Sequence, residues 1–469
     1  MPITKYTASA DTTIVNAYYP DSLTRAVYAN LGAADSLEIF SIYISGSETQ
    51  KARTLVQFPI SAISSSRASG TLPSSGNVDF YLKLFNVQHP ETLPKKYYVL
   101  IDPISSSWDE GFGLDLENYS DKGQSGSIGY GVNWKYRSTT NSPYTWTSDG
   151  GDVISGYSKT FYFDEGTEDL DVNVTDIVEA QISGVIPNNG FMIRLSGAYE
   201  DGTNDTTYYT KRFSARSSEY FYKVPVIEAR WRSVVNDDRG NFFYSTPNLS
   251  AADNDQNIYF YNRVKGVLKD LPSSVVPLVN VYNESGSLLT GSILSNKVAT
   301  GTYKAVINIT GAEEQVLQDV WFSGSNAYYT GSIEASLREF SDSAVEPEYV
   351  FALTNLKSVY KSYEKPSIRV YGRQRDWSPN IYKIASSEIN TLTFNNLYYK
   401  IIRIVDGATI IDYGIDPIAY TLCSYDKNGN YFDLDMAMFQ PGYGYAVKLM
   451  LLNGDLKAEY KEIFRFKVE

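Results

Sequence analysis

Three tryptophans, a few carboxylates, one histidine and one cysteine are the residues whose types could do chemistry in this sequence. Trp108, Trp134 and Trp146 carry large amphipathic rings of the kind on which sugars stack. The same rings fill sandwich cores, where aromatics dominate the packing energy. Asp149 and Asp152 flank Gly150-Gly151, and a sharp glycine turn lets carboxylates converge on calcium. That spacing also makes an ordinary Asx-rich turn. Asp426-Lys-Asn-Gly-Asn430 superficially resembles a calcium loop, but Gly429 comes too early, so it reads as a hairpin. Asp109 and Glu110 cannot flank one glycosidic bond, because neighbours on a strand point to opposite faces.

One His and one Cys exclude the usual zinc sites, and calcium is the one cofactor left open. His89 precedes Pro90 in a loop, so a Ser-His-Asp triad would have to run through that loop. Cys423 lies in the strand-like run Ala419-Tyr-Thr-Leu-Cys-Ser-Tyr425 and reads as a small buried hydrophobe. No grouping of nucleophile, base and orienter is visible, and the chain reads as non-enzymatic.

The elements that must position these residues are strands. Of 469 residues, 43% are hydrophobic and 20% charged, enough for sizeable cores. Forty Tyr and 21 Phe, with abundant Gly, Ser, Asn and Thr, indicate an all-β chain. The net charge of −13 and pI near 4.8 exclude nucleic acid as the main partner, since phosphate binding needs a cationic face. Alternation with period two runs through 79–85, 301–309 and 462–468, and Asp406-Gly407, Asn428-Gly429 and Asn453-Gly454 are hairpin signals. Helix is expected only over Asp176–Ser183, capped by Thr175, and over Leu353–Tyr360.

Composition divides the chain at two linker-like segments, Val234–Phe242 and Phe340–Glu348. The expectation is a fold of tandem β-sandwiches: a jelly-roll-like one over 1–233, an immunoglobulin-like one over 234–345 and a β-rich domain over 346–469. In the second, Pro277–Tyr282 is a strand, Asn283–Gly286 a turn and the Gly301-Thr-Tyr run a late strand.

The first domain carries an ordered motif series. It begins with Ala10-Asp-Thr-Thr-Ile14, Asn30-Leu-Gly32 and the run from Arg53 to Ile63. Trp108-Asp-Glu-Gly111, Val132-Asn-Trp134 and Trp146–Asp152 follow. The series closes with Asp171–Val178, Asn188–Ile193 and Phe213-Ser-Ala-Arg216. In order and spacing it resembles the DNRLRE family, β-sandwiches related to carbohydrate-binding modules, over about the first 230 residues. The family's terminal Ser-Arg-Glu reads here as Arg216-Ser-Ser-Glu219. The resemblance implies a jelly-roll-like fold; from the ring chemistry, Trp108, Trp134 and Trp146 are the candidates for glycan contact, with a core role expected for at least two of them.

Tandem sandwiches are typical of surface and extracellular proteins, yet the opening Met1–Ala10 has no apolar leader-like run. No stretch approaches the roughly 18 apolar residues of a membrane span, so no membrane partner is expected and sequons such as Asn173-Val-Thr175 read as chance. A protein assembled into a particle in a bacterial cytoplasm and released by lysis reconciles these features. The expectation is a structural protein of a tailed-bacteriophage virion, in the tail, collar, baseplate or capsid decoration. Its partners would be other virion proteins, as a homo-oligomer or part of a larger assembly, with host-surface glycans as a further contact. The alternative is an extracellular carbohydrate-binding adhesin or polysaccharide-binding module.

Overall fold

The computed structural model describes residues 2–18, 25–45, 48–90, 93–114, 131–138, 144–201, 208–338, 348–376, 391–415, 417–454 and 456–469. The chain is nearly all β and forms tandem β-sandwiches, divided into two compact units, Pro2–Arg232 and Ser233–Glu469.

In Pro2–Arg232, one sheet orders Ile3–Thr7, Val226–Arg230, Asp79–Leu84 and Leu170–Asn173. The other orders Tyr208–Ser214, Ser36–Ser45, Glu48–Gln57, Phe191–Leu195, Tyr97–Pro103 and Lys159–Phe163, with Ala10–Val15 also paired to Glu48–Gln57. Alternation sets the main core: Phe80, Leu82 and Leu84 from the first sheet meet Val56, Val99, Ile101, Phe191 and Ile193 from the second. The residues between these on the larger sheet are also apolar. Leu55 and Met192 point to its other face, where they join a second core with Ile14, Ile104, Trp108, Val132, Trp134 and Trp146. A strand buried on both faces loses the simple alternation, which explains the unbroken run Phe191-Met-Ile193.

The helix expected near Asp176 spans Thr175–Ile182 and buries Ile177 and Val178. Thr175 is its first residue rather than its cap; the Thr175 hydroxyl accepts the Phe80 backbone N–H at 2.9 Å instead. A second helix, Ile60–Ala68, begins in the run from Arg53 to Ile63, extends past it and buries Ile60 and Ile63.

In Ser233–Glu469, the first sandwich has an immunoglobulin-like strand order. A five-stranded sheet runs Phe242–Phe243, Asn326–Ser336, Gln315–Ser323, Leu278–Tyr282, Leu288–Leu294, and faces Gln256–Tyr261, Thr302–Ile307, Asn296–Ala299. The opening strand Phe242–Phe243 pairs parallel to Asn326–Ser336; the other pairings in these two sheets are antiparallel. Trp321 is fully buried at the centre, its ring 5.6 Å from Phe260.

The following sandwich packs Tyr349–Leu353, Ser367–Gln374, Gly429–Asp433 and Ser424–Asp426 against a sheet built on Gly444–Asn453. Tyr399 and Phe432 stack across the layers at 4.3 Å. The three hairpin signals close hairpins here: Leu397–Arg403 with Thr409–Ile411, Ser424–Asp426 with Gly429–Asp433, and Gly444–Asn453 with Leu456–Glu459.

Two expectations are corrected. Leu353–Tyr360 is not helical: it joins the strands Tyr349–Leu353 and Val359–Tyr360. Asn355 holds it open, donating to Ser367 O at 2.8 Å and accepting from Arg369 N at 2.7 Å, long-range bonds that pin the segment to the strand Ser367–Gln374. Val234–Phe242 is not an exposed linker either. Asp237, Asp238 and Arg239 are buried, and the segment runs beside Ser424–Asp426 through an Asn236–Tyr425 bridge. The second linker-like segment falls almost wholly outside the described residues.

Candidate functional site

The motif residues of the N-terminal unit converge in space. Asn30 is the hub. Its amide donates to Glu110 O and Val132 O, each at 2.7 Å, and its Oδ1 accepts from Gly32 N at 3.1 Å and Gly113 N at 3.0 Å. Two donors and two lone pairs are the whole capacity of an asparagine side chain, and all are used. Gly111 takes φ +83°, and a Cβ there would fall 2.2 Å from Asn30 Oδ1, so the loop can close on Asn30 only with glycine.

Beside this hub, Arg216 grips Glu110. Its Nη2 donates to both carboxylate oxygens at 2.8 Å, and its Nε to Oε1 at 3.2 Å. Glu110 Oε1 also accepts the Asp11 backbone N–H at 2.8 Å, while the Asp11 carboxylate accepts the Arg216 backbone N–H. Burial pushes Asp11 up to about 7; the Arg216 N–H opposes this and the nearby Glu110 charge adds to it. Asp109 turns elsewhere and accepts from the Ser138 hydroxyl. The adjacent carboxylates Asp109 and Glu110 thus engage separate partners.

The three tryptophans are buried, with 8%, 7% and 3% of Trp108, Trp134 and Trp146 exposed. Trp108 Nε1 donates to Asn189 O at 2.8 Å, and Trp146 Nε1 to Asn133 O at 3.0 Å. The Arg53 guanidinium lies 4.8 Å from the Trp134 ring and is paired with the buried Glu200, its Nε donating at 2.8 Å. Of the two roles, packing is the one the structure gives these rings, and the stacking platform is corrected for all three. They cover the outer face of the larger sheet and leave no open face for a sugar.

At Asp149 and Asp152 the structure has the turn reading, and the calcium alternative is corrected. Both Asp152 oxygens accept backbone N–H groups, from Thr147 at 2.7 Å and Ser148 at 2.9 Å, so that carboxylate shapes the turn. Asp149 is exposed. Among the described residues no three His, Cys, Asp or Glu side chains are grouped to hold a metal ion. His89 sits half-buried in its loop. Cys423 is fully buried, and burial pushes its thiol up, away from reactivity.

Sequence reasoning missed several buried charges, Lys211 and Arg239 among them. Lys211 lies on the strand Tyr208–Ser214, facing the core with Phe213. Tyr209, Lys211 and Phe213 share one face, so alternation alone could have flagged the lysine. In the second unit, Arg239 is buried between Asp237 and Asp319. Its Nη1 donates to Asp237 at 2.8 Å and its Nη2 to Asp319 at 2.6 Å, and Trp321 Nε1 joins Asp319 at 2.7 Å. Nothing in Asp237-Asp-Arg239 as a string separates this from a solvated charge run.

No protein-family model matches the sequence, and no curated protein is similar to it. Among solved structures, the N-terminal Ig1-2 module of the Drosophila receptor protein tyrosine phosphatase DLAR matches at 10% identity and a TM-score of 0.15, over 46% of this chain and 91% of that one. A Salmonella α-2-macroglobulin mutant matches at 8% identity and a TM-score of 0.15, over 99% of this chain and 26% of that one. Dimeric latent PorU from Porphyromonas gingivalis gives 9% identity and 0.17, over 98% and 34%. At such scores the immunoglobulin-like description rests on the strand order itself. Among the described residues no helix is long and apolar enough to cross a membrane.

Proposed function

We propose that this chain is a non-enzymatic attachment protein, a structural component of a tailed-bacteriophage virion that binds other particle proteins through its sandwich edges. One observation carries the reading. The strand Leu288–Leu294 is the outermost of its sheet among the described residues, and it displays Leu288 at 55% and Leu294 at 63% exposure. An edge strand with apolar side chains is a template for a further strand; this one pairs to its neighbour in a register interrupted twice. The N-terminal unit supports the same reading from the other direction. Its most chemical residues, Asn30, Glu110, Arg216 and the three tryptophans, bond to one another and to backbone, which favours attachment over sugar binding as the main task. The DNRLRE-like motif series then serves as a loop clasp.

The test is assembly. Light scattering and particle co-purification of the full chain should show an oligomer or a particle-bound protein. Leu288→Lys with Leu294→Lys should abolish that association and leave the melting temperature nearly unchanged. A wild-type chain that stays monomeric and never co-purifies with a particle would sink the reading.

A further inference from the structure

We propose that Lys211 and Asn86 form an intramolecular isopeptide bond, a covalent cross-link between two segments of the N-terminal sandwich. Lys211 Nζ lies 2.5 Å from Asn86 Oδ1. One carbonyl bond further, about 1.2 Å, stands the electrophilic Cγ, so nucleophile and electrophile are within about 3.7 Å of each other, close to attack distance. Two further acceptors fix the nitrogen there: Gly166 O at 2.8 Å and Glu168 O at 2.9 Å. The aromatic rings of Phe163 and Phe213 wall the site, with centroids 4.7 and 5.3 Å from Nζ. The backbone holds the two segments together independently, since Val87 N donates to Arg212 O at 3.1 Å and Ser214 N to Phe85 O at 2.9 Å. Asn86 is itself held by its own N–H on Asp169 Oδ1 at 2.8 Å.

A buried lysine with no carboxylate in direct contact among the described residues is an expensive way to hold a sandwich together, and an apolar residue would fill the space without a desolvated charge. As a nucleophile the same placement has a purpose. Burial lowers Lys211 to about 8, against the opposing pull of Glu168 and Asp169, so roughly a tenth of it is neutral amine at pH 7. The neutral Nζ attacks Asn86 Cγ and the new C–N bond forms. The tetrahedral intermediate collapses with loss of the Cγ–Nδ2 bond. One proton leaves Nζ and reaches Nδ2, which departs as ammonia; no oxidant or co-reactant is consumed. Glu168, whose backbone carbonyl accepts from Nζ and whose charge acts on Lys211, is assigned the relay of that proton. Its Oε1 is anchored by the backbone N–H groups of Asp164 at 2.9 Å and Glu165 at 2.7 Å. Its Oε2 is buried with no hydrogen-bond partner among the described residues. In the product, the new amide N–H keeps one of the two carbonyl acceptors.

Peptide mapping of the full-length protein tests this directly. Trypsin should fail to cut after Lys211 and should yield a branched peptide joining the segments that contain Asn86 and Lys211. Its mass should be the sum of the two minus one ammonia. On a denaturing gel, wild type should run faster than Asn86→Ala, which lacks the closed loop. Glu168→Gln should leave most of the chain unlinked at the same purification time. Unmodified peptides containing Asn86 and Lys211 in the wild-type protein would overturn the bond, whether or not any variant folds. Full cross-linking in Glu168→Gln would overturn the relay.

Discussion

The Tyr425 hydroxyl donates to Asp238 Oδ1 at 2.7 Å, joining the segment that precedes the immunoglobulin-like sandwich to a hairpin of the sandwich that follows it. The second Asp238 oxygen accepts the Asn257 N–H at 2.6 Å, and burial raises Asp238 despite both bonds. Backbone bonds run alongside, with Asp237 N on Tyr425 O and Tyr425 N on Val235 O, both at 3.0 Å. Tyr425→Phe removes only the hydroxyl and leaves a buried carboxylate oxygen without its donor. The expected cost is about 1.5–3 kcal/mol, the range for a hydrogen bond to a charged group, read as a lower melting temperature of the second unit. The same bonds predict that limited proteolysis spares Val234–Phe242 in the wild type and begins to cut there in Tyr425→Phe.

Asn30→Asp is close to isosteric and should still be severe. The two amide donors disappear, and the carbonyls of Glu110 and Val132 then face a carboxylate oxygen. Each of the two orphaned buried groups costs about 1–3 kcal/mol, so the loss should be about 2–6 kcal/mol, a large part of the stability of a folded domain. Denaturant unfolding of the N-terminal unit checks this. An Asn30→Asp variant as stable as wild type would mean that the loops do not depend on this hub.

How far the sequence reached differs by element. Strands and hairpins such as Asn453-Gly454 were legible because a two-residue period and a two-residue turn are local signals. The clasp around Asn30 was legible only as an ordered list of motifs, since Asn30, Glu110 and Arg216 meet across long stretches of chain. The tryptophans were ambiguous for a different reason. Burial on the outer face of a sheet depends on whether a loop folds back over it, and no periodicity records that. Val234–Phe242 was misread because a polar, charged, glycine-containing string looks the same whether solvent or Asp319 and Tyr425 satisfy it.

The pH dependence of the N-terminal unit should be bell-shaped, and Asp11 sets its upper limb. Its folded value, about 7, lies above the ordinary 3.8, so the unfolded chain gives up this proton more readily. Its contribution is therefore fully present below pH 4 and is lost as pH rises toward 7. Glu228 acts oppositely. Burial alone would raise it, but Lys5, Lys83 and Arg230 outweigh burial and hold it at about 2. That contribution is present above pH 4.5 and is lost as pH falls toward 2. From these two groups, thermal melts across pH 2–8 should peak between 4 and 5. Asp11→Asn keeps an acceptor for the Arg216 N–H and should flatten the upper limb alone, making the variant the more stable form above pH 7. A variant with the wild-type slope between pH 4 and 7 would count against Asp11 as its source.

The tryptophans give the last test, because stability and binding move differently in the two roles. An exposed stacking ring can be removed with loss of ligand and little change in melting temperature. Trp108, Trp134 and Trp146 instead share a core with Leu55 and Met192, and two of them donate their indole N–H groups to backbone carbonyls. Each change to Ala should cost about 3–5 kcal/mol, as for other large core aromatics. Trp134→Ala should have an added consequence, since Arg53 loses the ring beside it while keeping its pairing with Glu200. A guanidinium left facing a cavity admits water, so this variant should show faster amide exchange along Glu48–Gln57 than Trp108→Ala does. A glycan array on the wild type, run beside melts of the three variants, separates the roles. Clear glycan binding lost in a variant that melts like wild type would restore the sugar-stacking role to that ring, whereas three destabilised variants would place all three in the core.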